Sequence, residues 1–448
     1  MRTKIKELKG KSYIVLFLMP LLLQCTRKEE VLLTDPSAQL SFSEQVVVYD
    51  TLFADLHYPT RRIKVYNHNN GALSISEVSL AGGVSSPFKI LVNGQHGPLV
   101  RGLEIIGGDS LLIVIDLFFS AMSQNAPYLV EDSIRFVVNG QEQKVILKAV
   151  GRDATLIPSG DLPCNTVWDD TKPIVLLGQT VVPANCTLSI QKGTQVLASR
   201  GSSLDIKGTL LVSGEKNDSV YLGGLVSGKN PGQWLGVRFY EGSSGNKLSW
   251  FHLENAITGL SFVYTAIPAG ITDVTMDHGV FNDFTKCAVD ISYTDLKASN
   301  CLFLAASAAG TRLSKKGSGE FRYCTWAGYS YDYYRDGVDI EVKDATGTLS
   351  LLLKQSIVWG DNFTRELVYD PSAAITVDSC IVKSLTGFPG TGTVLNQDPR
   401  FESPVLRNYK LKSTSPAIDK GVPSAVTDDL AGTLRDALPD LGCYEYKP

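Results

Sequence analysis

The densest group of side chains able to recognise a ligand lies in the segment Trp326-AGYSYDYYRDG. Four tyrosines and one arginine crowd a predicted turn there: Tyr329, Tyr331, Tyr333, Tyr334 and Arg335. Tyrosine rings stack on flat apolar faces, and tyrosine together with arginine dominates the hot spots of protein interfaces. These residues are therefore candidates for binding a protein or a glycan. The alternative is that the tyrosines only pack the turn onto the rest of the fold.

Acidic residues offer a second chemistry, the cleavage of a polysaccharide by a hydrolase or lyase. Hydrolysis needs two carboxylates on either side of the scissile bond, and a lyase of the pectate type needs carboxylates that hold calcium. The best cluster is Asp332, Asp336 and Asp339 beside Arg335. The acids at 273, 277, 283, 290 and 295 are spaced four to seven residues apart, which is typical of solvated turns. We assign no catalytic residue, no metal site and no cofactor.

Histidine chemistry is not indicated either. The five histidines are scattered along the chain, at His57, His68, His96, His252 and His278. Asp277-His278-Gly279 faintly resembles a polygalacturonase motif, but its place in a repeat predicts a core or turn histidine. No GxSxG, phosphate-binding or dinucleotide-binding motif occurs.

The amino end predicts where the chain is delivered. Basic residues precede an apolar run from Ile14 to Leu23, which is shorter than the ~20 residues of a spanning helix. This order is typical of a secretory signal over residues 1–24. Leu22-Leu23-Gln24-Cys25 resembles a bacterial lipobox, although Gln24 departs from the small residue usual before the cut. The resemblance implies that Cys25 becomes the acylated, palmitate-bearing first mature residue, with an ordinary cleaved signal as the alternative.

The next residues, Arg27-Lys28-Glu29-Glu30, resemble the export signal of Bacteroidota surface lipoproteins, shifted by one position. The resemblance implies an outer-membrane lipoprotein that faces the cell exterior, with residues 25–41 as its tether. The formal net charge of −4 becomes nearer −8 once the basic leader is removed. This acidic balance lacks the positive surface that binding to nucleic acid requires, so we expect no nucleic-acid partner.

The cysteines other than Cys25 number seven, so they cannot all pair. Cys164 and Cys186 flank one short segment and are candidates for a disulfide. Cys301, Cys324 and Cys380 recur at one position of a repeat, where cysteine acts as a small buried hydrophobe.

Residues 42–152 predict a β-sandwich. Short runs of alternating apolar and polar residues, such as Arg62-IKVYN and Ser110-LLIVIDLFF, are separated by turn residues, and Asn139-Gly140 is a strong hairpin signal. Seven or eight strands in ~110 residues fit an immunoglobulin-like fold. The region resembles Ig-like modules of the abnormal-spindle type, which implies a spacer or docking surface.

From residue 155 to 395 the pattern changes to a repeat that predicts a right-handed parallel β-helix. The segment that begins at Val181 resembles the first coils of such helices. Later repeats align at their last residues with steps of 22, 23, 33 and 23, and the long step implies an inserted loop. The aligned residues are Phe281, Phe303, Trp326, Trp359 and Val382.

Residues 396–448 carry three further motifs: Ser415-PAIDKG, Asp429-LAG with Arg435, and Asp440-LGCYEY. They resemble the carboxyl-terminal ending of β-helix surface proteins of the choice-of-anchor Q type, with Cys443 in place of alanine. The resemblance predicts a cap on the open last coil, in which Arg435 pairs with nearby acids.

The mature chain is thus predicted to be all-β, with an Ig-like β-sandwich, a right-handed parallel β-helix and a terminal cap. The combined pattern resembles Bacteroidota surface lipoproteins, which implies a non-enzymatic protein that binds a macromolecule through its β-helix. The partner is an outer-membrane protein complex, for assembly or transport, or a glycan. The alternatives are a polysaccharide-degrading enzyme and an adhesin.

Overall fold

The computed structural model describes residues 31–448 except 227, 229, 265, 266, 269, 305, 333, 345 and 346. Cys25 and the predicted leader lie outside the described residues. The chain divides into two compact units, Met1–Asp153 and Ala154–Pro448. Within the described ranges the fold is all-β, with two 3-10 turns and no α-helix. Consequently, no helix in this part of the chain has the length and apolar character needed to cross a membrane.

The first unit consists of two five-stranded sheets around one shared core. Its strands are β1 (Ser41–Phe42), β2 (Val46–Phe53), β3 (Arg61–Tyr66), β4 (Leu73–Leu80), β5 (Phe88–Val92), β6 (Gln95–His96), β7 (Leu99–Ile105), β8 (Ser110–Leu117), β9 (Tyr128–Val138) and β10 (Gln141–Arg152), with a 3-10 turn at Gly83–Ser85. One sheet has the order β1-β3-β8-β5-β6, and the other has the order β2-β10-β9-β4-β7.

Side chains alternate along each strand between the shared core and the outer face, which explains why the two sheets pack together. Ile63 and Val65 of β3, like Ile113 and Ile115 of β8, point into the core and are at most 1% exposed. All pairings in both sheets are antiparallel except that of β10 with β2. The observed arrangement is a two-sheet all-β unit, and its assignment to the Ig-like class stays a prediction.

The second unit is dominated by one curled, parallel, 25-stranded sheet. Its strands are β11 (Thr155–Ile157), β12 (Gly160–Asp161), β13 (Thr166–Trp168), β14 (Ile174–Leu176), β15 (Gln179–Val182), β16 (Thr187–Gln191), β17 (Gln195–Ala198), β18 (Ser203–Ile206), β19 (Thr209–Ser213), β20 (Val220–Gly224), β21 (Val237–Tyr240), β22 (Asn246–Glu254), β23 (Leu260–Val263), β24 (Thr272–Asn282), β25 (Cys287–Ser299), β26 (Leu302–Leu304), β27 (Ala309–Arg322), β28 (Thr325–Gly328), β29 (Val338–Lys343), β30 (Leu349–Lys354), β31 (Ile357–Gly360), β32 (Leu367–Tyr369), β33 (Ala374–Asp378), β34 (Ile381–Val382) and β35 (Val394–Leu395). A small antiparallel pair follows, β36 (Phe401–Ser403) and β37 (Asn408–Leu411), separated by a 3-10 turn at Pro404–Leu406.

The strands of the large sheet stack in three parallel ladders, because each of the first strands pairs with the strand three positions later in the chain. The first ladder begins with β11 and β14, the second with β12 and β15, and the third with β13 and β16. The long strands β22, β24, β25 and β27 bend and contribute to two ladders each. Each coil therefore pairs only with the coils before and after it, which is the arrangement of a β-helix-like stack.

Repeated inward positions fill the centre of the stack. Phe281, Phe303 and Trp326 form a column of stacked rings, with centroids 5.0 and 4.7 Å apart. Cys301 and Cys324 lie in a second column, and both are fully buried. The structure confirms that the recurring cysteines are buried core residues, and Cys380 shares this environment.

One register prediction is wrong. The sequence alignment placed Trp359 opposite Trp326, whereas the structure pairs Trp326 with Val358 and Ala327 with Trp359. A shift of one residue moves a side chain to the other face of a strand. Val358 is therefore fully buried inside the coil, while Trp359 is half-buried on the outer face, where the ammonium of Lys383 lies 5.2 Å from its ring centroid.

A single residue turns each later coil from the third ladder back to the first. These corner residues all have φ between 48° and 51°, in the left-handed region, and stack in register. They are Trp250, His278, Asn300, Tyr323, Gln355 and Ser379. The repeat predicted a core or turn histidine at His278, and the structure confirms this: the residue turns the corner, is 9% exposed and stacks on Trp250 with ring centroids 3.9 Å apart.

The carboxyl-terminal segment differs from the expected cap on the last coil, because its contacts run along the side of several coils. The guanidinium of Arg435 donates to Asn300 Oδ1 at 2.9 Å and lies over the Tyr323 ring at 4.0 Å. Lys216 Nζ donates to the carbonyl of Gly432 at 2.8 Å. This segment covers outward apolar side chains of the first ladder, including Leu302, Leu304, Ala327, Ile357 and Ile381. As the resemblance implied, Arg435 does pair with an acid, Glu445, at 3.3 Å.

Cys164 and Cys186 form a disulfide in the structure, with Cα atoms 4.8 Å apart. Each follows a strand of the second ladder and precedes one of the third, so the two residues occupy the same turn of consecutive coils. Gly208 holds the equivalent place in the next coil, where a Cβ atom would overlap the carbonyl oxygen of Cys186. The bridge therefore joins the first coil to the second.

We call the second unit, Ala154–Pro448, the β-helix unit because of its β-helix-like stack. We expect the paired change Cys164→Ser and Cys186→Ser to lower its free energy of unfolding by roughly 3 kcal/mol, since the bridge closes a loop of 22 residues. Urea unfolding measures this loss. Reductant should impose the same loss on the parent chain and none on the double variant. Equal stability of both proteins without reductant would contradict the prediction.

Candidate binding site: the tyrosine loop

The candidate tyrosines lie on residues 329–337, which connect β28 to β29 and which we call the tyrosine loop. The loop belongs to the long coil that the sequence spacing indicated. Gly328 precedes it, and a Cβ atom there would overlap Asp339 Oδ1 and the Arg335 guanidinium. Glycine is therefore required where the loop leaves the sheet.

The structure places the three described tyrosines of the loop differently. Tyr331 is 53% exposed and Tyr334 is 82% exposed, so both present their rings to solvent. Tyr329 is half-buried and stacks on Tyr331, with centroids 5.5 Å apart and planes 7° apart. Burial raises the pKa of Tyr329, which keeps its hydroxyl neutral. Tyr333 lies outside the described residues.

Arg335 is not a surface binding residue, and that prediction is wrong. Its side chain is only 3% exposed, because it reaches back over the coil to two buried carboxylates. Nη2 donates to Asp339 Oδ1 at 3.0 Å and to Glu366 Oε2 at 2.7 Å, and Nη1 donates to the Gly328 carbonyl at 2.8 Å. Arg335 therefore fixes the end of the tyrosine loop to two coils.

One arginine serving two buried acids leaves an excess of negative charge. Burial raises the pKa of the Asp339 carboxyl well above its usual value, Glu366 raises it further, and Arg335 opposes the shift only in part. Asp339 Oδ2 is buried and has no hydrogen-bond partner among the described residues, as expected for a carboxyl group held in a poor site for its charged form.

The carboxyl-terminal segment supplies two residues of the site that sequence reasoning missed. Tyr409 of β37 is 4% exposed and stacks on Tyr329 with centroids 6.0 Å apart. Arg407 donates two hydrogen bonds of 2.8 Å to Asp283 and one of 2.7 Å to Asp332 in the tyrosine loop. Their sequence distance from the loop gave no signal, because only the fold brings the segments together.

The acids proposed for catalysis do not form one cluster. Asp332 pairs with Arg407, whereas Asp339 is buried against Arg335. Among the described residues, no group of three histidine, cysteine or acidic side chains could hold a metal ion. The groups that this arrangement presents to solvent include the rings of Tyr331 and Tyr334 and the carboxylate of Asp332.

No family model matches the chain, and no curated protein matches it. Solved structures resemble parts of it weakly. The Escherichia coli chaperone DraB is 14% identical over 26% of this chain and 55% of its own, with a TM-score of 0.18. A Salmonella enterica complex of the SafA pilin with the SafB chaperone gives 16% identity over 26% of this chain and 54% of that one, with a TM-score of 0.18.

The third likeness covers more of the chain. The catalytic unit of an alpha-1,3-glucanase of glycoside hydrolase family 87 from Streptomyces thermodiastaticus is 10% identical over 71% of this chain and 73% of its own, with a TM-score of 0.26. The chain spans about half the length of the two chaperone chains that it matches. At these TM-scores none of the three likenesses carries an argument about function.

Proposed function

We propose that this chain is a lipid-anchored outer-membrane protein of the Bacteroidota surface type that binds a macromolecule without transforming it. The observation that carries the proposal is the pair of exposed rings, Tyr331 and Tyr334, on a loop fixed to the coils by buried ion pairs. Exposed aromatic side chains on a rigid support lose little conformational entropy when they bind. A binding role suits these features better than catalysis, because the paired carboxylates, Asp339 and Glu366, are buried.

The same proposal covers the remaining architecture. The first unit is an Ig-like module that serves as a spacer or docking surface, and the second is a right-handed β-helix of the choice-of-anchor Q-like kind. The sequence motifs quoted above support both assignments. The partner is an outer-membrane protein assembly or a surface glycan.

A pull-down from detergent-solubilised outer membranes tests the binding role. The full chain should retain a partner, and the double change Tyr331→Ala and Tyr334→Ala should reduce the recovered amount by about tenfold, the effect of losing ~1.4 kcal/mol of contact energy. Val167→Ala is the matched control, because Val167 is a 55% exposed apolar residue on β13, in the first coil of the second unit and away from the tyrosine loop. Unchanged recovery with the double variant would refute the assignment of the binding surface.

The anchor has its own test. Cys25→Ser should move the protein from the detergent-rich phase to the aqueous phase in a phase-partitioning assay, because acyl chains supply the membrane affinity. Gln24→Ala is the control, since a small residue before the cut should preserve processing. A Cys25→Ser protein that still partitions with the detergent would contradict lipidation at this residue.

A further inference from the structure

The tyrosine loop carries one end of a stack of rings that opens to solvent. Tyr329 stacks on Tyr409 at 6.0 Å and on Tyr331 at 5.5 Å, with the planes 24° and 7° from parallel. Exposure rises along the stack, from 4% at Tyr409 to 53% at Tyr331. The stack therefore ends in a ring whose face is available to a further flat group.

This exposed ring is held in position from two sides. Ser330 donates its backbone N–H to Asp361 Oδ2 at 2.8 Å, and its hydroxyl contacts the same oxygen. On the other side, Asp332 accepts from Arg407 at 2.7 Å. Phe401 packs edge-on against Tyr409 at 5.4 Å, which supports the buried end of the stack. A ligand thus meets a ring that is already ordered, so little entropy is lost on binding.

The groups beside Tyr331 decide which flat ligand fits. Asp332 follows Tyr331 in the sequence, and Asp361 accepts from Ser330, the residue before it. The side chains of Asp332 and Asp361 are 30% and 38% exposed. A carboxylate has about four lone-pair sites, so oxygens that already bind a protein donor can still accept from a ligand hydroxyl. Acidic side chains outnumber cationic ones in the ion pairs around the tyrosine loop. Arg407 forms ion pairs with Asp283 and Asp332. Arg335 forms ion pairs with three acids: Asp339, Glu366 and Asp361. Carboxylated or sulfated ligands are therefore disfavoured.

We propose that Tyr331 is the stacking platform of a binding site for neutral glycans. A pyranose ring without carboxylate or sulfate has an apolar face of C–H groups, which covers the tyrosine ring, and an edge of hydroxyl groups, which donate to Asp332 and Asp361. A cationic peptide could also approach these carboxylates, but both already face an arginine, which reduces the gain from a further cation. This inference rests on the binding role proposed above and names its ligand class.

Affinity electrophoresis of the detergent-solubilised full chain tests the proposal, with gels that contain neutral β-glucan, mannan or xylan. At least one neutral polysaccharide should retard the chain. Tyr331→Ala should weaken this retardation by about tenfold, and Tyr331→Phe should stay within about threefold, because the ring face remains. Phe363→Ala is the control, because Phe363 is 96% exposed on the next coil but belongs to no described ring stack. The thermal midpoint of all variants should equal that of the parent.

The proposal would be overturned if no neutral polysaccharide retarded the chain, or if Tyr331→Ala were retarded as strongly as the parent. It would also be overturned if polygalacturonate retarded the chain more strongly than the neutral polysaccharides, or if polylysine captured it. The membrane pull-down separates this failure from that of the binding role. A protein partner captured through Tyr331 without any glycan binding would reject the ligand class alone. No capture of either kind would reject both.

Discussion

Replacing Arg335 with methionine is expected to lower the free energy of unfolding of the β-helix unit by about 3–5 kcal/mol. Among the described residues, the change removes the one cation that contacts Asp339 and Glu366, whose side chains are 3% and 0% exposed. Each would remain buried without a counter-charge, which is far more costly than the loss of a surface pair. Urea unfolding followed by near-ultraviolet circular dichroism measures the difference.

Lys192→Met is the matched control, because it also exchanges a cation for methionine in an ion pair of the β-helix unit. Lys192 pairs with Glu215 at 2.8 Å, but the two side chains are 51% and 63% exposed. Water screens such a pair, so we expect a loss below about 1 kcal/mol. Equal losses for the two variants would contradict the buried network.

The pH dependence of the free energy of unfolding shows whether Arg335→Met destabilises the protein through unpaired buried charges or through lost packing. Since the pKa of Asp339 is raised in the folded state, the folded protein binds this proton more tightly than the unfolded chain does. The group therefore adds stability below its ordinary pKa of 3.8, and this contribution is lost as the pH rises through the folded value. Without Arg335 the effect grows, so the deficit of Arg335→Met should shrink when the pH falls from about 7 to about 5.

A second-site test uses neutral amides. Adding Asp339→Asn and Glu366→Gln to Arg335→Met removes the stranded charges, and we expect it to restore at least about half of the lost stability. A deficit that depends neither on pH nor on these amides would mean that the guanidinium acts only by filling space.

Arg335 also shows where sequence reasoning reached its limit. Tyrosines near an arginine predicted a binding turn, and the exposed rings of Tyr331 and Tyr334 are consistent with that interpretation. The partners of Arg335 could not be read from spacing, because Glu366 lies 31 residues further on, in the next coil. Only the register between coils brings the two side chains together, and an arginine followed by acids looks the same whether it is buried or exposed.

Register explains a second difference. The repeat correctly placed Phe281, Phe303 and Trp326 in one column, because steps of 22 and 23 residues separate strands of one coil length. The long coil broke this regularity. With an inserted loop, Val358 and Trp359 are both apolar candidates for the inward position, and the alignment of the repeats chose Trp359, which is the wrong one. The carboxyl-terminal motifs were similarly recognisable, but the outward apolar residues that they cover could not be distinguished from core residues.

Replacing Trp326 with alanine is expected to destabilise the β-helix unit by about 3–5 kcal/mol, as is typical of a large aromatic side chain removed from a core. Trp326 is fully buried, stacks on Phe303 at 4.7 Å and meets Phe321 edge-on at 5.0 Å. Its Nε1 donates to Thr311 Oγ1 at 2.9 Å, so the change also strands a buried hydroxyl. Thermal and urea unfolding both measure the loss.

Trp359→Ala provides a control that also tests the register. If the structure is right, Trp359 faces outward and its removal costs about 1 kcal/mol, as expected for a half-buried side chain. If the sequence alignment were right, Trp359 would occupy the aromatic column and its loss would equal that of Trp326. Trp326→Phe should recover most of the stability, since a ring remains in the column.

Replacing Trp326 with alanine should also affect ligand binding, because Trp326 lies close to the start of the tyrosine loop. Trp326 lies on β28, the strand that leads directly into the tyrosine loop, and the column beneath it supports the start of that loop. Loss of the indole should therefore weaken ligand retention through disorder of Tyr331, even in conditions where the protein remains folded. Trp359→Ala should leave retention unchanged by comparison. Retention that survives in Trp326→Ala while stability falls would mean that the carboxyl-terminal contacts of Tyr409 and Arg407 suffice to hold the loop in place.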